Sequence, residues 1–333
     1  MVKLLVIRFS ALGDVAMLAP VVRATAEEHP EVDITMLSQQ RMADLFADMP
    51  ANVKFHGVDL KKQSLREIVA GLGQYDLVAD MHGVWRSLYI RMAMRLKGAK
   101  VATIRKGRFA RFLFTHGMAR KPLLHSTRLY FGVLYCLGLD RNASEISPKI
   151  VRSADEKNGI GIAPFAAHEG KRYPLERMEQ VVAMLSERNE RAKVDASERG
   201  ERVVLFGSKA EAEILESWAK KYKGVESVAG KMSLGEELEL MKSLRVMISM
   251  DSANMHLASL VGTRVVSIWG ATHPNAGFLG IGQSAGDCIQ RDLKCRPCSI
   301  YGKKKCKYGD YRCMDIAPED IVQKYEDCYP SEI

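Results

Sequence analysis

The chain has 333 residues, 47% of them hydrophobic, which is enough for two α/β domains of about 150 residues, each with its own core. No run of about 18 apolar residues occurs, so the sequence predicts no membrane-spanning helix. The net charge of +9 comes from one block, because residues 85–128 contain twelve Lys or Arg and no Asp or Glu. Such a block indicates an anionic partner (a phosphorylated lipid, a nucleic acid or a membrane surface), with a solvated basic face as the alternative.

The first predicted element is an apolar run at residues 3–9, which favours a buried strand over a secretory signal because no small-residue cleavage site follows it. We therefore expect a cytoplasmic protein. The next segment, "SALGD", predicts a turn in which Gly13 supplies the backbone freedom, and Asp14 then starts a helix. Near the positive end of the helix dipole, Asp14 either caps the helix or faces a ligand as a general base.

Strands and helices then alternate along both halves of the chain, which is typical of βαβ units and parallel sheets. The strands expected in the first half are residues 3–9, 33–38, 53–59 and 75–83. A polar stretch at residues 155–159 predicts a linker, after which the alternation starts again. Residues 188–201 are polar and predict a surface loop. Two Rossmann-like domains are therefore expected, with ligands at the carboxyl ends of their strands.

Two predicted strand ends in the second half carry residues suited to a nucleotide. Lys171, in "APFAAHEGKRYP", offers a point charge for phosphate, although an ordinary exposed lysine gives the same pattern. Glu211 follows the apolar run "VVLFG" and could accept hydrogen bonds from a ribose, although an acidic first helical turn is common.

A third strand end, in "ISMDSANMHLASLVG", passes through small residues into a helix. Backbone N–H groups at such a helix start bind phosphate, and those expected here belong to Ser252, Ala253 and Asn254. Asp251 would position them or meet a sugar. His256 lies one turn further and either faces the phosphates or is an ordinary core residue. No D-x-D triplet occurs, so Lys171 and helix amides, not a divalent metal, would neutralise a diphosphate leaving group.

Six of the seven cysteines follow residue 287. Reduced thiols or an occasional disulfide are favoured, because the spacing is irregular and no histidine lies nearby. A structural zinc site is the alternative. Its ligands would be Cys295, Cys298, Cys306 and Cys313.

Together these segments resemble glycosyltransferase family 9, the ADP-heptose:lipopolysaccharide heptosyltransferases, over nearly the whole chain. The resemblance is carried by "RFSALGDV", "HEGKRYPLERM", "GKMSL", "SMDSANMHLASLVGTRVVSIWGATHP" and the cysteine-bearing tail. It implies a GT-B fold of two Rossmann-like domains facing a cleft. The implied domains are an acceptor domain at residues 1–154, an ADP-sugar domain at 155–315, and a helix at 316–333 that packs back on the first domain.

The resemblance also implies inverting, metal-independent transfer and a role for individual residues. Asp14 matches the family's base, which deprotonates the acceptor hydroxyl, and Lys171 matches the phosphate-binding lysine. The other matched donor-site residues are Glu211 at the ribose, Met232 at the adenine, Asp251 at the sugar, and the amides of Ser252 and Ala253 at the pyrophosphate. Two departures stand out: Ala253 replaces the family's common glycine, and the loop "AAHEG" before Lys171 lacks Ser or Thr.

The family's acceptor, an acidic phosphorylated glycolipid at the inner face of the inner membrane, would explain the basic block. Residues 105–130 mix cations with Phe and Leu, as interfacial segments do, and no nucleic-acid module surrounds them. The residues expected at the acceptor are Gly13, Arg105, Lys106, Arg108, Arg111, Arg120 and Lys121. A different nucleotide-sugar and a non-catalytic nucleotide-binding module remain alternatives. A NAD-dependent oxidoreductase is disfavoured because the first strand lacks a G-x-G-x-x-G turn.

Overall fold

The computed structural model describes residues 1–118, 121–139, 158–194 and 201–328. The chain divides into two compact units, one formed by residues 1–107 with 124–149 and the other by 108–123 with 150–333. None of the helices in the described ranges is long and apolar enough to cross a membrane.

The first unit is a five-stranded parallel sheet with the strand order β3–β2–β1–β4–β5. Its strands are β1 (Val2–Ile7), β2 (Val32–Gln39), β3 (Val53–Val58), β4 (Leu77–Asp80) and β5 (Lys100–Thr103). The helices through this part of the chain are α1 (Leu12–Glu28), α2 (Leu65–Gly71), α3 (Trp85–Leu96), α4 (Arg108–Thr115), which belongs to the second unit, and α5 (Ser126–Leu137). Leu5 in β1 pairs with Thr35 on one side and Val78 on the other, so β1 lies in the middle of the sheet. Its buried residues, Leu4 to Ile7, are all apolar, as is typical of a strand covered on both faces.

The second unit is a six-stranded parallel sheet with the order β11–β10–β9–β6–β7–β8. Its strands are β6 (Ile160–Ala163), β7 (Val203–Leu205), β8 (Val225–Ser227), β9 (Val246–Met250), β10 (Arg264–Trp269) and β11 (Cys288–Gln290). Its further helices are α6 (Leu175–Val194), α7 (Ala212–Lys221), α8 (Leu234–Ser243), α9 (Ala253–Leu260) and α10 (Pro318–Cys328). The predicted fold of two Rossmann-like halves is confirmed.

Each sheet reverses its strand order at one position. In the first unit the chain builds outward from β1 to β3 and then returns to place β4 on the other side of β1. In the second unit it builds from β6 to β8 and returns to place β9 beside β6. Loops on either side of such a switch point diverge and leave a crevice at the carboxyl ends of the strands, where α/β proteins bind ligands.

The structure differs from the sequence-based domain limits at both α4 and α10. Residues 108–123 group with the second unit, where the Phe114 ring packs edge-on against His273 and Leu123 N–H donates to the Asn275 carbonyl. The terminal helix α10 buries Ile321 and Tyr325 in the core of the second unit, whereas residues 316–333 were expected to pack on the first domain. The expected linker at 155–159 falls mostly outside the described residues. Helix α6 continues through Val194, into the segment predicted to be a loop.

Candidate functional site

In the first unit, Asp14 occupies the third position of α1 and is held from two sides. Its Oδ2 accepts a hydrogen bond from Ala11 N–H at 3.2 Å and forms an ion pair with Arg8 Nη2 at 2.6 Å. Arg8 is itself nearly buried: it donates to the Met81 carbonyl and lies over the Tyr130 ring. The capping role of Asp14 is therefore confirmed. Its carboxylate remains partly exposed, with 26% of the side-chain surface accessible.

Gly13 does not serve the turn in the way the sequence suggested. It is buried in the first turn of α1, and the glycines with positive φ in the described residues do not include it. The helix begins two residues earlier than expected, at Leu12 instead of Asp14, so the connection from β1 is made by residues 8–11.

His82 lies beside the end of β1, at the switch point of the first sheet. The Phe9 N–H donates to its Nδ1 at 3.4 Å, which leaves the ring proton on Nε2, 3.4 Å from Ser10 Oγ. Asp80 holds this turn in place by accepting hydrogen bonds from the N–H groups of His82 and Gly83 at 3.0 and 2.9 Å. Burial, followed by the charges of Arg8 and Lys106, lowers the pKa of His82 to about 4, so the imidazole is neutral at pH 7.

A depressed histidine pKa predicts acid lability. The unfolded chain takes up a proton at His82 near pH 6.5, whereas the folded chain does so only near pH 4, so the free energy of unfolding should fall as the pH drops between these values. His82→Asn should remove this component of the decline. Urea unfolding of both proteins at pH 8, 7, 6 and 5 checks the prediction. The difference between them should be constant from pH 8 to 7 and change below 6.5; a constant difference at all four values would contradict it.

A pocket of about 490 Å³ opens at this same edge of the first sheet. Its lining residues follow the ends of β1 to β4, and they are Phe9, Ser10, Gln39, Leu60, Lys61, His82, Val84, Trp85 and Arg86. Two cations, Lys61 and Arg86, give it a positive lining suited to an acidic ligand. The pocket thus lies at the switch point, and its lining at Ser10 begins four residues before Asp14.

The residues predicted to bind the acceptor are divided between the two units. Lys106 lies in the first unit close enough to influence the His82 pKa, and Arg105 precedes it on the surface. Arg108, Arg111 and Lys121 belong to the second unit, and Arg120 lies outside the described residues. Arg111 donates to the Tyr301 hydroxyl and lies 5.6 Å from the ring centroids of Tyr301 and Phe278, so it holds α4 in place.

In the second unit, Lys171 and Asp251 meet at the switch point between β6 and β9. Lys171 Nζ lies 2.7 Å from Asp251 Oδ2, and the two side chains are only 16% and 4% exposed. Lys171 ends a short 3₁₀ turn after β6, while Asp251 directly follows β9. Two positions 80 residues apart in sequence are therefore brought together by the parallel pairing of these neighbouring strands.

The surroundings of Lys171 are electropositive. His168, at the start of the same turn, has a pKa that is lowered first by burial and then by the charges of Lys303, Lys171 and Arg172. The cysteine-bearing tail contacts this turn at Gly302, where a Cβ added to the glycine would lie only 2.6 Å from Lys171 Cγ. Sequence reasoning missed Lys303, because only the packing of the tail shows that it lies near this site.

The start of α9 follows directly from Asp251. Ser252 is the N-cap, its hydroxyl lies 3.0 Å from Ser249 Oγ, and Ala253 is the first helical residue. The N–H groups of the first helical turn, which includes Asn254, lack helical carbonyl partners at such an end and suit an anion. His256 is 7% exposed and lies within the buried face of α9, as the core alternative proposed.

Glu211 and Met232 lie on the loops that follow β7, which neighbours β6, and β8, which is the next strand outward. Glu211 Oε2 accepts from both the N–H and the hydroxyl of Ser208, at 2.7 and 2.8 Å. The two loops are joined where Gly230 N–H donates to the Gly207 carbonyl at 3.1 Å. Met232 is 37% exposed. All the predicted donor-site positions therefore lie at the carboxyl edge of one sheet, on four adjacent strands; their binding roles stay predictions.

The contact between these loops predicts that Gly230→Ala is destabilising. Gly230 has φ of +65°, and an added Cβ would lie 2.6 Å from the Lys209 Cα, which is backbone and cannot rotate away. We expect a loss of about 1–3 kcal/mol in the free energy of unfolding. Urea denaturation measures it. Gly71→Ala, where the added Cβ meets nothing within 4 Å, is the matched control and should change stability little. Equal stabilities for the two variants would contradict the strain.

The tail cysteines are free thiols in the structure. Burial raises the pKa values of the Cys298 and Cys313 thiols. Within the described residues no three His, Cys, Asp or Glu side chains are grouped so as to hold a metal ion. The alternative of a zinc site at Cys295, Cys298, Cys306 and Cys313 therefore gains no geometric support, and reduced thiols stay the prediction.

Comparison with known proteins shows that the sequence matches a known family over most of its length. The sequence pattern of Glycosyltransferase family 9 (heptosyltransferase) matches residues 63–309. Lipopolysaccharide heptosyltransferase 3 of Escherichia coli is 24% identical over 292 residues, which cover 78% of this chain and 81% of that protein.

Solved structures show the same fold. E. coli ADP-heptose lipopolysaccharide heptosyltransferase II superposes with a TM-score of 0.68 at 18% identity, covering 98% of both chains. A glycosyltransferase family 9 protein from Veillonella parvula gives a TM-score of 0.71 at 20% identity, covering 98% of this chain and 96% of that one. These similarities show two Rossmann-like halves of the GT-B type.

Proposed function

The chain belongs to glycosyltransferase family 9, the heptosyltransferases, and on this premise we propose that it moves a heptose from ADP-heptose to the inner core of a lipopolysaccharide acceptor. The observation that carries the proposal is the Lys171–Asp251 pair at the start of α9. A largely buried cation beside the first N–H groups of a helix, at the switch point of a parallel sheet, is suited to a diphosphate. The name of the E. coli heptosyltransferase II structure supports ADP-heptose as the donor.

We assign the donor to the second unit by its strand ends. Lys171 and the first amides of α9 would bind the pyrophosphate, and Asp251 would contact the sugar while holding Lys171. Glu211 retains Oε1 for a ribose hydroxyl, because Ser208 occupies Oε2. Met232, exposed on the adjacent loop, would pack against the adenine.

We assign the acceptor to the pocket of the first unit and the general base to Asp14. Its Oδ2 binds Arg8 and Ala11 N–H, so Oδ1 is the better placed oxygen to take a proton. Asp14 would remove the proton from the acceptor hydroxyl as the oxygen attacks the anomeric carbon. The bond from that carbon to the ADP oxygen breaks, its electrons leave with ADP, and the configuration inverts. The cations Lys61 and Arg86 would bind phosphates on the acceptor.

The proposed transfer needs no metal, because Lys171 and the helix amides supply the positive potential that the leaving diphosphate requires. The acceptor is a membrane lipid, so we also propose a cytoplasmic protein bound peripherally at the inner face of the inner membrane.

Calorimetric titration with ADP, and with UDP and dTDP as controls, tests the donor assignment. ADP-selective binding would support it. Selective binding of UDP or dTDP would keep the nucleotide site but replace heptose with another sugar. ADP binding without transfer to any acidic glycolipid would favour a non-catalytic module. No nucleotide binding at all would overturn the proposed site.

A further inference from the structure

Helix α3 presents an apolar side to solvent, which is unusual for a surface helix. Five large hydrophobic residues on this helix are between 42% and 87% exposed: Trp85, Leu88, Tyr89, Met92 and Leu96. At about 100° per residue they fall within an arc of about 100°. The opposite side, which carries Ile90 and Met94, is fully buried in the core of the first unit. We call the exposed set the α3 stripe.

Cations border the α3 stripe on both sides. On the same helical projection, Arg86 and Lys97 fall on one border, and Arg91 and Arg95 on the other. Asp80 lies near Arg91, with 3.6 Å between the carboxylate and Nε, and Arg86 lies over the Trp85 ring. An apolar side with Trp and Tyr, flanked by Lys and Arg, is the pattern of a helix that lies in the interface of an anionic bilayer.

The stripe is also continuous with the proposed acceptor pocket. Its first residue, Trp85, and the adjacent Arg86 line that pocket. A bilayer-bound acceptor has its acyl chains in the membrane and its sugars outside, so a membrane contact next to the pocket would keep the sugars within reach. The segment from Trp85 to Arg128 has no acidic residue, which favours anionic lipid over a basic or neutral partner.

We propose that the α3 stripe docks the protein on an anionic phospholipid surface, with its apolar side chains inserted between headgroups and the exposed cations Arg95 and Lys97 at its borders contacting lipid phosphates. This inference rests on the peripheral membrane location proposed above. It is specific to α3, whereas sequence reasoning placed the interfacial segment at residues 105–130. Helix α4, within that segment, also exposes Phe109 and Phe112 and provides the competing surface.

The native tryptophans offer a direct readout. The chain has three tryptophans, and Trp218 and Trp269 are 4% and 0% exposed, so Trp85, at 67%, is the one that would report on docking. Adding phosphatidylcholine–phosphatidylglycerol vesicles to the full chain should shift its emission to the blue and sediment the protein with the vesicles. Vesicles of phosphatidylcholine alone should bind at least about tenfold more weakly, and salt should reverse the binding.

The variant Met92→Ser/Leu96→Ser removes part of the stripe without touching the pocket lining. It should bind anionic vesicles about tenfold more weakly or worse, with an unchanged thermal midpoint and unchanged transfer to a water-soluble, deacylated acceptor. Two variants serve as comparisons and should bind like the parent: Tyr135→Ser, which removes an exposed aromatic on α5, and Phe109→Ser/Phe112→Ser on α4. Vesicle binding is measured without donor or acceptor, so it can succeed even if the proposed transfer fails.

Three results would overturn the proposal. They are the absence of a blue shift with anionic vesicles, a loss of binding in the α4 variant but not in the α3 variant, and a blue shift that grows with protein concentration without vesicles. The last result would assign the stripe to self-association.

Discussion

Asp14→Asn is expected to lower kcat for sugar transfer by about 10²–10⁴-fold while leaving ADP affinity unchanged, because general base catalysis contributes on that scale. Asparagine keeps an oxygen that can accept the Ala11 N–H, so the start of α1 should be preserved. It cannot take the acceptor proton, and it loses the ion pair with Arg8. Initial rates with ADP-heptose and calorimetry with ADP measure the two quantities.

Glu67→Gln is the matched control for this variant. Glu67 is also the third residue of its helix and accepts the N-cap N–H of Ser64 at 2.7 Å, but it is exposed on α2, away from the pocket lining. It should leave transfer unchanged. If Asp14→Asn retains full transfer at equal thermal stability, the carboxylate is only a helix cap and another group is the base.

Lys171→Ala is expected to weaken ADP binding by about 10–100-fold, since a charge-assisted hydrogen bond to phosphate contributes about 1.5–3 kcal/mol. It also leaves the buried Asp251 carboxylate without its cation, which costs about 3–5 kcal/mol of stability. Lys171→Arg separates the two effects. Arginine restores the charge beside Asp251 and should recover stability, while its planar fork should recover ADP affinity only in part.

The control for Lys171→Ala is Lys221→Ala, because Lys221 forms an ion pair with a carboxylate at the same distance but lies on the surface. Lys221 Nζ lies 2.7 Å from Glu179 Oε1, with 62% of the lysine side chain exposed. Lys221→Ala should change neither ADP affinity nor stability appreciably. An ADP affinity for Lys171→Ala equal to that of Lys221→Ala would remove Lys171 from the proposed phosphate site.

The sequence predicted the fold well wherever a buried strand ended in a polar turn. The buried parts of β1, β9 and β10 are apolar except for Ser249 in β9 and Ser267 in β10, because these strands are covered on both faces. The same logic located Asp14, Lys171 and Asp251 at the strand ends. The order of the strands in the sheet depends on the crossover connections. Because β9 lies beside β6, Lys171 meets Asp251, whereas Glu211, which follows β7, lies further along the sheet edge.

Other parts of the site depend on packing that no local pattern encodes. The pocket residue His82 follows the strand "LVAD", and its polar ending was visible, but its contact with Ser10 requires β4 to lie beside β1. The basic block was visible as composition only. In the structure Arg111 packs against Tyr301 and Phe278 and thereby holds α4 in place. The side of α3 that is exposed is the one opposite Ile90 and Met94, which are buried in the core.

The most direct test of the central claim is a transfer assay with ADP-heptose and a deacylated inner-core acceptor, with the product analysed by mass spectrometry and by NMR of its new anomeric centre. We expect a product heavier by one heptose, release of one ADP, an anomeric configuration opposite to that of the donor, and full activity in the presence of EDTA. Retention of configuration would contradict the single displacement with Asp14 as base. Transfer only from a different nucleotide-sugar would contradict the donor assignment.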